Sequence, residues 1–289
     1  MKADATAIAG LHVIADRFDH VLLDQWGTLH EGLAVFPAAL DCVARLRTAG
    51  KHILILSNSG KRAVGNQRRL AALGLPPEAY DGVLSSGEVT WRGLHTCDQA
   101  PFAEIGRSCF LISRDGDRSI VDDTGLTVAS TVHEADFILL GGLDDDMAEP
   151  ERWRSLLTAA AARQLTMLCA NPDLVMFGVA GLIPAPGALA AFYQSLGGTV
   201  LFVGKPHPPM FTAARDQLGR PAPERILVIG DSLDHDIAGG RTAGMLTLLI
   251  GSGAHRATLA QAHDLPQAIK AAAGAAARMP HWTMDHLTW

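Results

Sequence analysis

Four polar side chains in this chain directly follow short apolar segments with the composition of β-strands. Asp24 follows VLL, Ser57 follows ILIL, Lys205 follows VLFVG, and Asp231 follows ILVIG. In an open parallel sheet, ligands bind beyond the carboxyl ends of the strands. We therefore expect a carboxylate, a hydroxyl, an ammonium group and a second carboxylate to meet in one crevice.

Asp24 opens the segment DQWGTLHEG, in which Gly27 allows a tight turn after the strand. An aspartate at a strand end could attack phosphorus and form an aspartyl phosphate, which divides one difficult displacement into two easier steps. Because Asp-x-x-Gly also occurs in plain turns, this motif alone is a weak indication of that chemistry.

A second acidic motif, GDSLDHDIAGGRTAGM, begins at Gly230 and contains Asp231 and Asp236. Mg²⁺ binds oxygen ligands and keeps several waters, so two carboxylates and a carbonyl are sufficient to hold it. We expect Asp24 and Asp231 to be direct ligands and Asp236 to orient them. The alternative for Asp236 is an ordinary acid in the first turn of a helix, where the helix dipole favours it.

Lys205 and Ser57 are candidates for contact with a phosphoryl group. Lys205 precedes Pro206 in VGKPHPP and could neutralise a phosphoryl oxygen or a carboxylate. Ser57 and Asn58 stand at a predicted helix start, where free backbone N–H groups attract phosphate. The alternatives are a solvated lysine and simple helix capping by Ser57 or Ser59.

Apolar segments alternate with helical patterns along the chain, which is typical of βα units and predicts an α/β fold with a parallel sheet. Several predicted helices end in glycine, as expected at helix C-termini. The predicted strands are 21–23, 53–56, 110–112, 137–140, 167–170, 200–203, 226–229 and 246–250, and the predicted helices are 37–49, 61–73, 148–164, 186–196, 208–218 and 234–243.

The interval between Ser57 and Lys205 is much longer than one crossover connection needs and contains at least three predicted strands of its own. It therefore predicts an inserted domain. We place a discontinuous core domain at residues 1–104 and 199–289 and an inserted α/β cap domain at residues 105–198.

Composition excludes several classes of protein. The net charge is −6, and the basic residues form no run that could follow a nucleic-acid backbone. The four cysteines lack the close spacing of zinc or redox motifs. The first 20 residues predict an amphipathic helix rather than a signal peptide, and no apolar run reaches about 18 residues, so we expect a cytoplasmic protein without a membrane partner.

The order Asp24, Ser57, Lys205 and Asp231 with Asp236 resembles the four motifs of haloacid dehalogenase (HAD) superfamily phosphatases. The insertion resembles the cap of the NagD-like, class IIA subfamily, as do the segments SSGEVT, ANPD and IPAPGALAAFYQSLGG. The resemblance covers nearly the whole chain and implies a Rossmann-like core.

The resemblance also implies a role for each matching residue. It makes Asp24 the nucleophile, Ser57 and Lys205 phosphoryl-binding residues, and Mg²⁺ the cofactor, held by Asp24, the carbonyl of Trp26 and Asp231. The implied substrate is a small phosphorylated metabolite such as a sugar phosphate, and the caps of this subfamily often form homodimers.

One position departs from the family pattern. Trp26 stands where these phosphatases usually have a second aspartate, which acts as general acid and base. Tryptophan cannot perform that role, which is typically worth about 100- to 10,000-fold in rate. Three accounts remain: a slow or specialised phosphatase in which another group, such as His30 or a cap residue, replaces the acid; a phosphotransferase; or a noncatalytic binder of phosphorylated ligands. Asn171 and Asp173 are candidate determinants of substrate choice.

Overall fold

The computed structural model describes residues 5–178, 181–255, 265–275 and 278–289 of the 289-residue chain. It divides into two compact units, the first formed by Met1–Ser57, Asn66–Leu84 and Lys205–Trp289, and the second by Asn58–Gly65 and Ser85–Gly204. Residues 85–104, which we assigned to the core domain from motif spacing, thus group with the second unit. The predicted domain limits near 105 and 198 stay a prediction.

The first unit is built on a seven-stranded sheet. Its strands, in sheet order, are β1 (Thr6–Ala7), β14 (Trp282–Met284), β13 (Leu246–Ile250), β12 (Ile226–Gly230), β2 (His20–Asp24), β3 (His52–Ser57) and β4 (Gly82–Ser85). The pairs that β2 makes with β12 and β3 are parallel. The central strands β2, β3 and β12 are almost entirely buried, as expected for a parallel sheet covered on both faces.

Helices connect these strands, and several of them end close to the glycines from which we predicted helix C-termini. The helix α1 (Pro37–Thr48) begins with proline at its first position, where the missing N–H costs nothing, and Gly50 follows it at a φ of 72°. The other α-helices within the described residues are α2 (Ala63–Ala72), α3 (Ser86–Thr96), α4 (Arg154–Ala162), α5 (Pro186–Ser195), α6 (Pro208–Gln217), α7 (Ala238–Thr242) and α8 (Leu265–Ala273). Of these, α6, α7 and α8 belong to the first unit, and α3, α4 and α5 to the second.

The second unit contains a five-stranded sheet and a two-stranded antiparallel hairpin. The sheet order is β11 (Thr199–Phe202), β8 (Thr166–Cys169), β7 (Phe137–Leu140), β5 (Ser108–Ile112) and β6 (Thr127–Val128); the hairpin pairs β9 (Val175–Gly178) with β10 (Gly181–Pro184). Buried residues of β7, β8, α4 and α5 form one apolar core that includes Ile138, Met167, Leu157 and Tyr193. The predicted α/β fold with parallel sheets is confirmed.

Two segments differ from their predictions, and a third contains a strand that was not predicted. The strand that precedes Lys205 is β11, and it belongs to the sheet of the second unit, where it pairs with β8 rather than with a core strand. The predicted N-terminal helix is wrong: the described part of that segment holds β1 and a single 3-10 turn at Leu11–Ile14. The tail forms β14, which inserts between β1 and β13. Parallel pairing supplies hydrogen bonds that residue periodicity in a three-residue strand could not predict.

Within the described ranges, no helix is both long enough and apolar enough to cross a membrane.

Candidate active site

The carboxylate of Asp24 lies at the carboxyl end of β2, in the middle of the first unit's sheet. Asp24 is opposite Leu56 in the β2–β3 register, so Ser57 follows at the same edge of the sheet. The strand on the other side, β12, ends at Gly230, immediately before Asp231. Three neighbouring strands therefore present their polar residues at one edge, as the strand-end pattern predicted.

Lys205 forms a buried ion-pair network with two aspartates. Its Nζ donates to Asp24 Oδ1, and it also donates to Asp236 Oδ1 at 2.8 Å. Lys205 is 3% exposed and Asp236 2% exposed, so solvent screens these interactions little. The solvated lysine considered for this position is therefore wrong.

Backbone amides hold the other two carboxylates, which lie in the loop after β12. The amide of Ser232 donates to Asp236 Oδ2 at 3.3 Å, and the amide of Ala254 donates to Asp231 Oδ2 at 2.8 Å. Asp236 lies in a π-helical turn, Leu233–Ile237, which the Ser232 side chain caps by accepting from His235 N. Such turns are frequent at functional sites.

Burial and mutual repulsion shift the pKa values of this cluster. Burial, with Asp236 and Asp231 nearby, raises the pKa of Asp24 well above its ordinary value although Lys205 opposes this. Burial and the adjacent Asp236 raise the pKa of Asp231 to about 7. For Lys205, burial lowers the pKa, but its ion pairs with Asp236 and Asp24 outweigh that effect and raise it. The lysine is thus permanently charged, while the aspartates lack sufficient positive charge around them.

The donor set suits a divalent cation. Carboxylate oxygens of Asp24, Asp231 and Asp236 lie within 4.8 Å of one another, and all three residues are buried. When they are ionised, three negative charges face the single positive charge of Lys205, so two are uncompensated. Buried charges need a partner or a metal, and hard oxygen ligands match Mg²⁺.

Glycines leave the space that these carboxylates occupy. A Cβ on Gly27 would lie 1.9 Å from Asp231 Oδ2, and one on Gly230 would lie 2.1 Å from Asp236 Cγ. A Cβ on Gly253 would lie 2.2 Å from Asp231 Cβ. Since atoms cannot approach so closely, a side chain at any of these three positions would force Asp231 or Asp236 to move.

We predict that Gly27→Ala will weaken Mg²⁺ binding at least about tenfold, because the new methyl group must displace Asp231. The matched control is Gly50→Ala: the φ of Gly50 is +72° against +74° for Gly27, but nothing lies within 4 Å of its added Cβ. Both variants should lose about 1–2 kcal/mol of stability from backbone strain. Calorimetric titration with Mg²⁺ separates the two effects, and equal Mg²⁺ affinity in both variants would contradict this role of Gly27.

The segment after Asp24 folds back on itself and packs Trp26 against His30. Their rings meet edge to face with centroids 5.7 Å apart, and Trp26 remains 36% exposed. His30 Nδ1 accepts from the Gly32 amide at 3.1 Å. Burial, and secondarily Arg69, lowers the pKa of His30 to about 4. The imidazole is therefore neutral at pH 7, which disfavours His30 as the replacement for the missing acid.

The second unit holds Asn58, the predicted phosphate-binding neighbour of Ser57. Its side-chain amide donates to Asp173 Oδ1 at 2.8 Å, and the Asp173 amide donates to Asn171 Oδ1 at 3.1 Å. A Cβ on Gly204 would lie 2.6 Å from Asn58 Oδ1. Asn58, proposed for phosphate contact, thus forms one hydrogen-bonded loop cluster within this unit with Asn171 and Asp173, the residues proposed for substrate choice. Their roles, and that of the Trp26 carbonyl, stay predictions.

Sequence reasoning missed two contributors, Gly253 and Ala254. They lie in the loop after β13, and one accommodates Asp231 while the other donates to it. The available signal was the segment GSG directly after the apolar run LTLLI. The contribution of this loop to the cluster is a backbone amide and an absent Cβ, and neither is a side-chain feature that the sequence pattern reveals.

Two protein-family models match the parts of the chain that contain these motifs. A family model described as haloacid dehalogenase-like hydrolase matches residues 21–127, and a second, described as HAD-hydrolase-like, matches residues 202–278. The first covers Asp24 and Ser57, and the second covers Lys205, Asp231 and Asp236.

Similar proteins extend over most of the chain. The crystal structure of a haloacid dehalogenase-like family hydrolase from Brucella suis is 31% identical, with a TM-score of 0.79 over 96% of this chain and 98% of that one. The acid sugar phosphatase of Staphylococcus aureus is 26% identical over 80% of this chain and 86% of its own length. A glycerol phosphate phosphatase from Mycobacterium tuberculosis, solved with magnesium, is 22% identical and shares the fold, with a TM-score of 0.70 over 93% of this chain and 76% of that one.

Proposed function

Because this chain belongs to the haloacid dehalogenase-like hydrolase family, we propose that it hydrolyses a small phosphorylated metabolite with Mg²⁺, through an aspartyl phosphate on Asp24. The observation that carries this proposal is a cluster of buried, charged side chains at one edge of the sheet: Asp24, Lys205, Asp231 and Asp236. A nucleophile beside an ammonium group and two further carboxylates is well suited to phosphoryl transfer.

The first chemical step uses Asp24 and Lys205. A carboxylate oxygen of Asp24 forms a bond to phosphorus as the bond between phosphorus and the leaving oxygen breaks. Lys205 already donates to Asp24, so its charge is positioned to stabilise the negative charge on the phosphoryl oxygens. It also opposes the effect of burial, which raises the pKa of Asp24.

Asp24, Asp231 and the carbonyl of Trp26 would hold the metal, and Asp236 would orient Lys205 and the Ser232 amide. Bound Mg²⁺ supplies positive charge that neutralises the phosphoryl group and aligns it with the nucleophile. Ser57 would donate to a phosphoryl oxygen from the end of β3.

The leaving oxygen needs a proton that Trp26 cannot supply, and the neutral imidazole of His30 is poorly suited to donate one. We therefore predict a steep dependence on the acidity of the leaving group. Phosphate esters of acidic phenols should react at least about 100-fold faster than esters of simple alcohols, which is the low end of what general acid catalysis contributes. Phosphate release from a series of substituted phenyl and alkyl phosphates measures this, and equal rates across the series would contradict it.

Trp26→Asp should accelerate the alkyl esters by about 100-fold and flatten the leaving-group dependence, because it restores a group that can donate and accept the proton. Trp26→Phe is the matched control: it removes the indole, retains an aromatic ring against His30, and should leave the slope unchanged. If a folded Trp26→Asp variant has the same slope as wild type, the missing acid is not what limits the reaction.

The experiment that tests the function itself is Mg²⁺-dependent phosphate release from a panel of sugar phosphates, glycerol phosphates and aryl phosphates. The sugar phosphates enter because a relative is named as an acid sugar phosphatase, and the glycerol phosphates because a structural relative is named as a glycerol phosphate phosphatase. Turnover of one class that ends when Mg²⁺ is chelated supports the proposal. No release from any compound would favour the second candidate.

That second candidate is a phosphotransferase, and Trp26 is the observation that favours it. Without a base at this position, attack on the aspartyl phosphate is slow for water and for a hydroxyl alike, so an acceptor competes by binding beside Asp24 and gaining from proximity. Transfer from p-nitrophenyl phosphate to added glycerol or glucose would distinguish the two reactions.

A cytoplasmic location and a homodimer, both predicted in the sequence analysis, are further parts of the proposed function.

A further inference from the structure

Trp26 stands two residues after the proposed nucleophile and is partly exposed. Asp24 ends β2, Trp26 forms an isolated β-bridge with His30, and only Gln25 separates the strand from this bridge. Alternate side chains of an extended chain project to the same side. The indole therefore projects from the edge of the sheet that carries Asp24, and 36% of the residue remains accessible to a ligand.

The next residue along the chain ties Trp26 to the catalytic cluster. A Cβ on Gly27 would lie 1.9 Å from Asp231 Oδ2. Because consecutive Cα atoms are about 3.8 Å apart, the Cα of Trp26 lies within about 8 Å of that carboxylate oxygen. The leaving group of a phosphate ester at this cluster is therefore within reach of the indole.

Packing from the same loop holds the indole in place. The His30 ring meets it edge to face, with centroids 5.7 Å apart, and the Gly32 amide donates to His30 Nδ1 at 3.1 Å. A Cβ on Gly32 would lie 2.9 Å from Trp26 Cη2 and 3.0 Å from Trp26 Cζ3, so the indole packs directly on this glycine. A ring that is already positioned loses little conformational entropy when a ligand packs on it.

The indole offers a flat apolar surface at the position where the usual aspartate would offer a proton. Aromatic rings attract one another more strongly than the burial of their area alone predicts. A leaving group that departs without a proton must be a weak base, and aromatic hydroxyls, with a pKa of about 10, are much more acidic than simple alcohols. The missing acid and the aromatic surface therefore favour the same substrate, a phosphate ester of an aromatic hydroxyl.

We propose that Trp26 is a specificity-determining residue, which stacks on the planar leaving group of an aryl phosphate. This inference rests on the proposed phosphatase function and names the substrate class of that site. Asp24 forms its bond to phosphorus as the bond from phosphorus to the aryl oxygen breaks, and the aryl oxygen leaves with the electron pair as a phenolate. The phenolate takes its proton from solvent, so Trp26 donates none.

Calorimetric titration of the full chain with phosphonates in the presence of Mg²⁺ tests the stacking without requiring turnover. Benzylphosphonate and cyclohexylmethylphosphonate both carry a six-carbon ring, but only the first ring is flat and aromatic. Benzylphosphonate should bind about two- to tenfold more tightly, the range expected for stacking beyond area burial. Trp26→Ala should bind the two compounds equally, whereas Trp26→Phe, which keeps a flat ring, should retain a preference. Methylphosphonate has no ring, so it should bind wild type and Trp26→Ala alike.

Gly32→Ala tests the placement of the indole, because the new methyl group must displace the ring and should reduce the preference for benzylphosphonate. The matched control is Gly74→Ala: the φ of Gly74 is +101° against +92° for Gly32, but nothing lies within 4 Å of its added Cβ. Leu33→Ala is a second control, since it removes a 93% exposed apolar side chain from the same loop without removing an aromatic ring. Both controls should keep the wild-type preference.

The outcomes separate this inference from the function on which it rests. Binding of all three phosphonates without a ring preference, or an unchanged preference in Trp26→Ala, would overturn the role of Trp26 and leave the phosphatase function standing. No Mg²⁺-dependent binding of any of the three phosphonates would contradict the phosphatase function and this inference with it.

Discussion

Asp24→Asn is expected to lower phosphate release by at least about 10⁴-fold, because asparagine has no carboxylate to attack phosphorus. Loss of a catalytic nucleophile in a comparable covalent mechanism costs about 10⁶-fold. The substitution also removes one of the three carboxylates that face one another within 4.8 Å. Turnover measured with Mg²⁺ at saturating p-nitrophenyl phosphate gives the result directly.

The variant should remain folded, which separates loss of chemistry from loss of structure. Burial already raises the pKa of Asp24 well above its ordinary value, so the native state holds this charge at a cost. Lys205 keeps its second partner, Asp236. Asp234→Asn is the matched control, since Asp234 lies in the same motif but is exposed and paired with Arg278. Equal activity losses in the two variants would contradict a nucleophilic role for Asp24.

Lys205→Met is expected to lower the free energy of unfolding by about 3–5 kcal/mol at pH 8 without metal. Removing one partner of a buried ion pair leaves the remaining charge uncompensated, and losses of that size are typical. Here two partners, Asp24 and Asp236, are left behind, with Asp231 close to them. Urea denaturation in the presence of a chelator measures the change.

Two further variants test the cause of that loss. Lys270→Met removes an exposed lysine from α8 and should change stability by less than about 0.5 kcal/mol. Adding Asp236→Asn to Lys205→Met should recover part of the lost stability, because it removes one of the charges that Lys205 balanced. A Lys205→Met variant as stable as wild type would show that the three carboxylates protonate in the metal-free state and need no lysine.

The proximity of Asp24 and Asp231 was predictable because both residues follow apolar runs, while their catalytic roles stay predictions. Asp24 and Asp231 each end a buried strand or follow one, and neighbouring parallel strands bring such residues together whatever the rest of the chain does. Lys205 also lies in this cluster, but the strand that precedes it, β11, does not belong to the first unit's sheet. It pairs with β8 in the second unit. Its proximity to Asp24 was predicted correctly although the reason, a core strand, was wrong.

Features that depend on long-range pairing could not be read from local pattern. β14 is three residues long and depends on β13 and β1 for its hydrogen bonds, so its sequence contains little periodicity. The support that Asp231 receives from Ala254 is a backbone contact, which any residue except proline could make. The low pKa of His30 follows from burial, which single-sequence reasoning does not provide for a loop residue. Family membership, predicted from motif order, is confirmed.

Fluorine NMR of the wild-type protein with beryllofluoride and Mg²⁺ tests the central claim most directly, because this phosphoryl mimic needs no knowledge of the substrate. The account predicts bound fluorine resonances that require Mg²⁺ and disappear in Asp24→Asn. Resonances that persist in Asp24→Asn, or none in the wild-type protein with Mg²⁺, would contradict the formation of an aspartyl phosphate at Asp24.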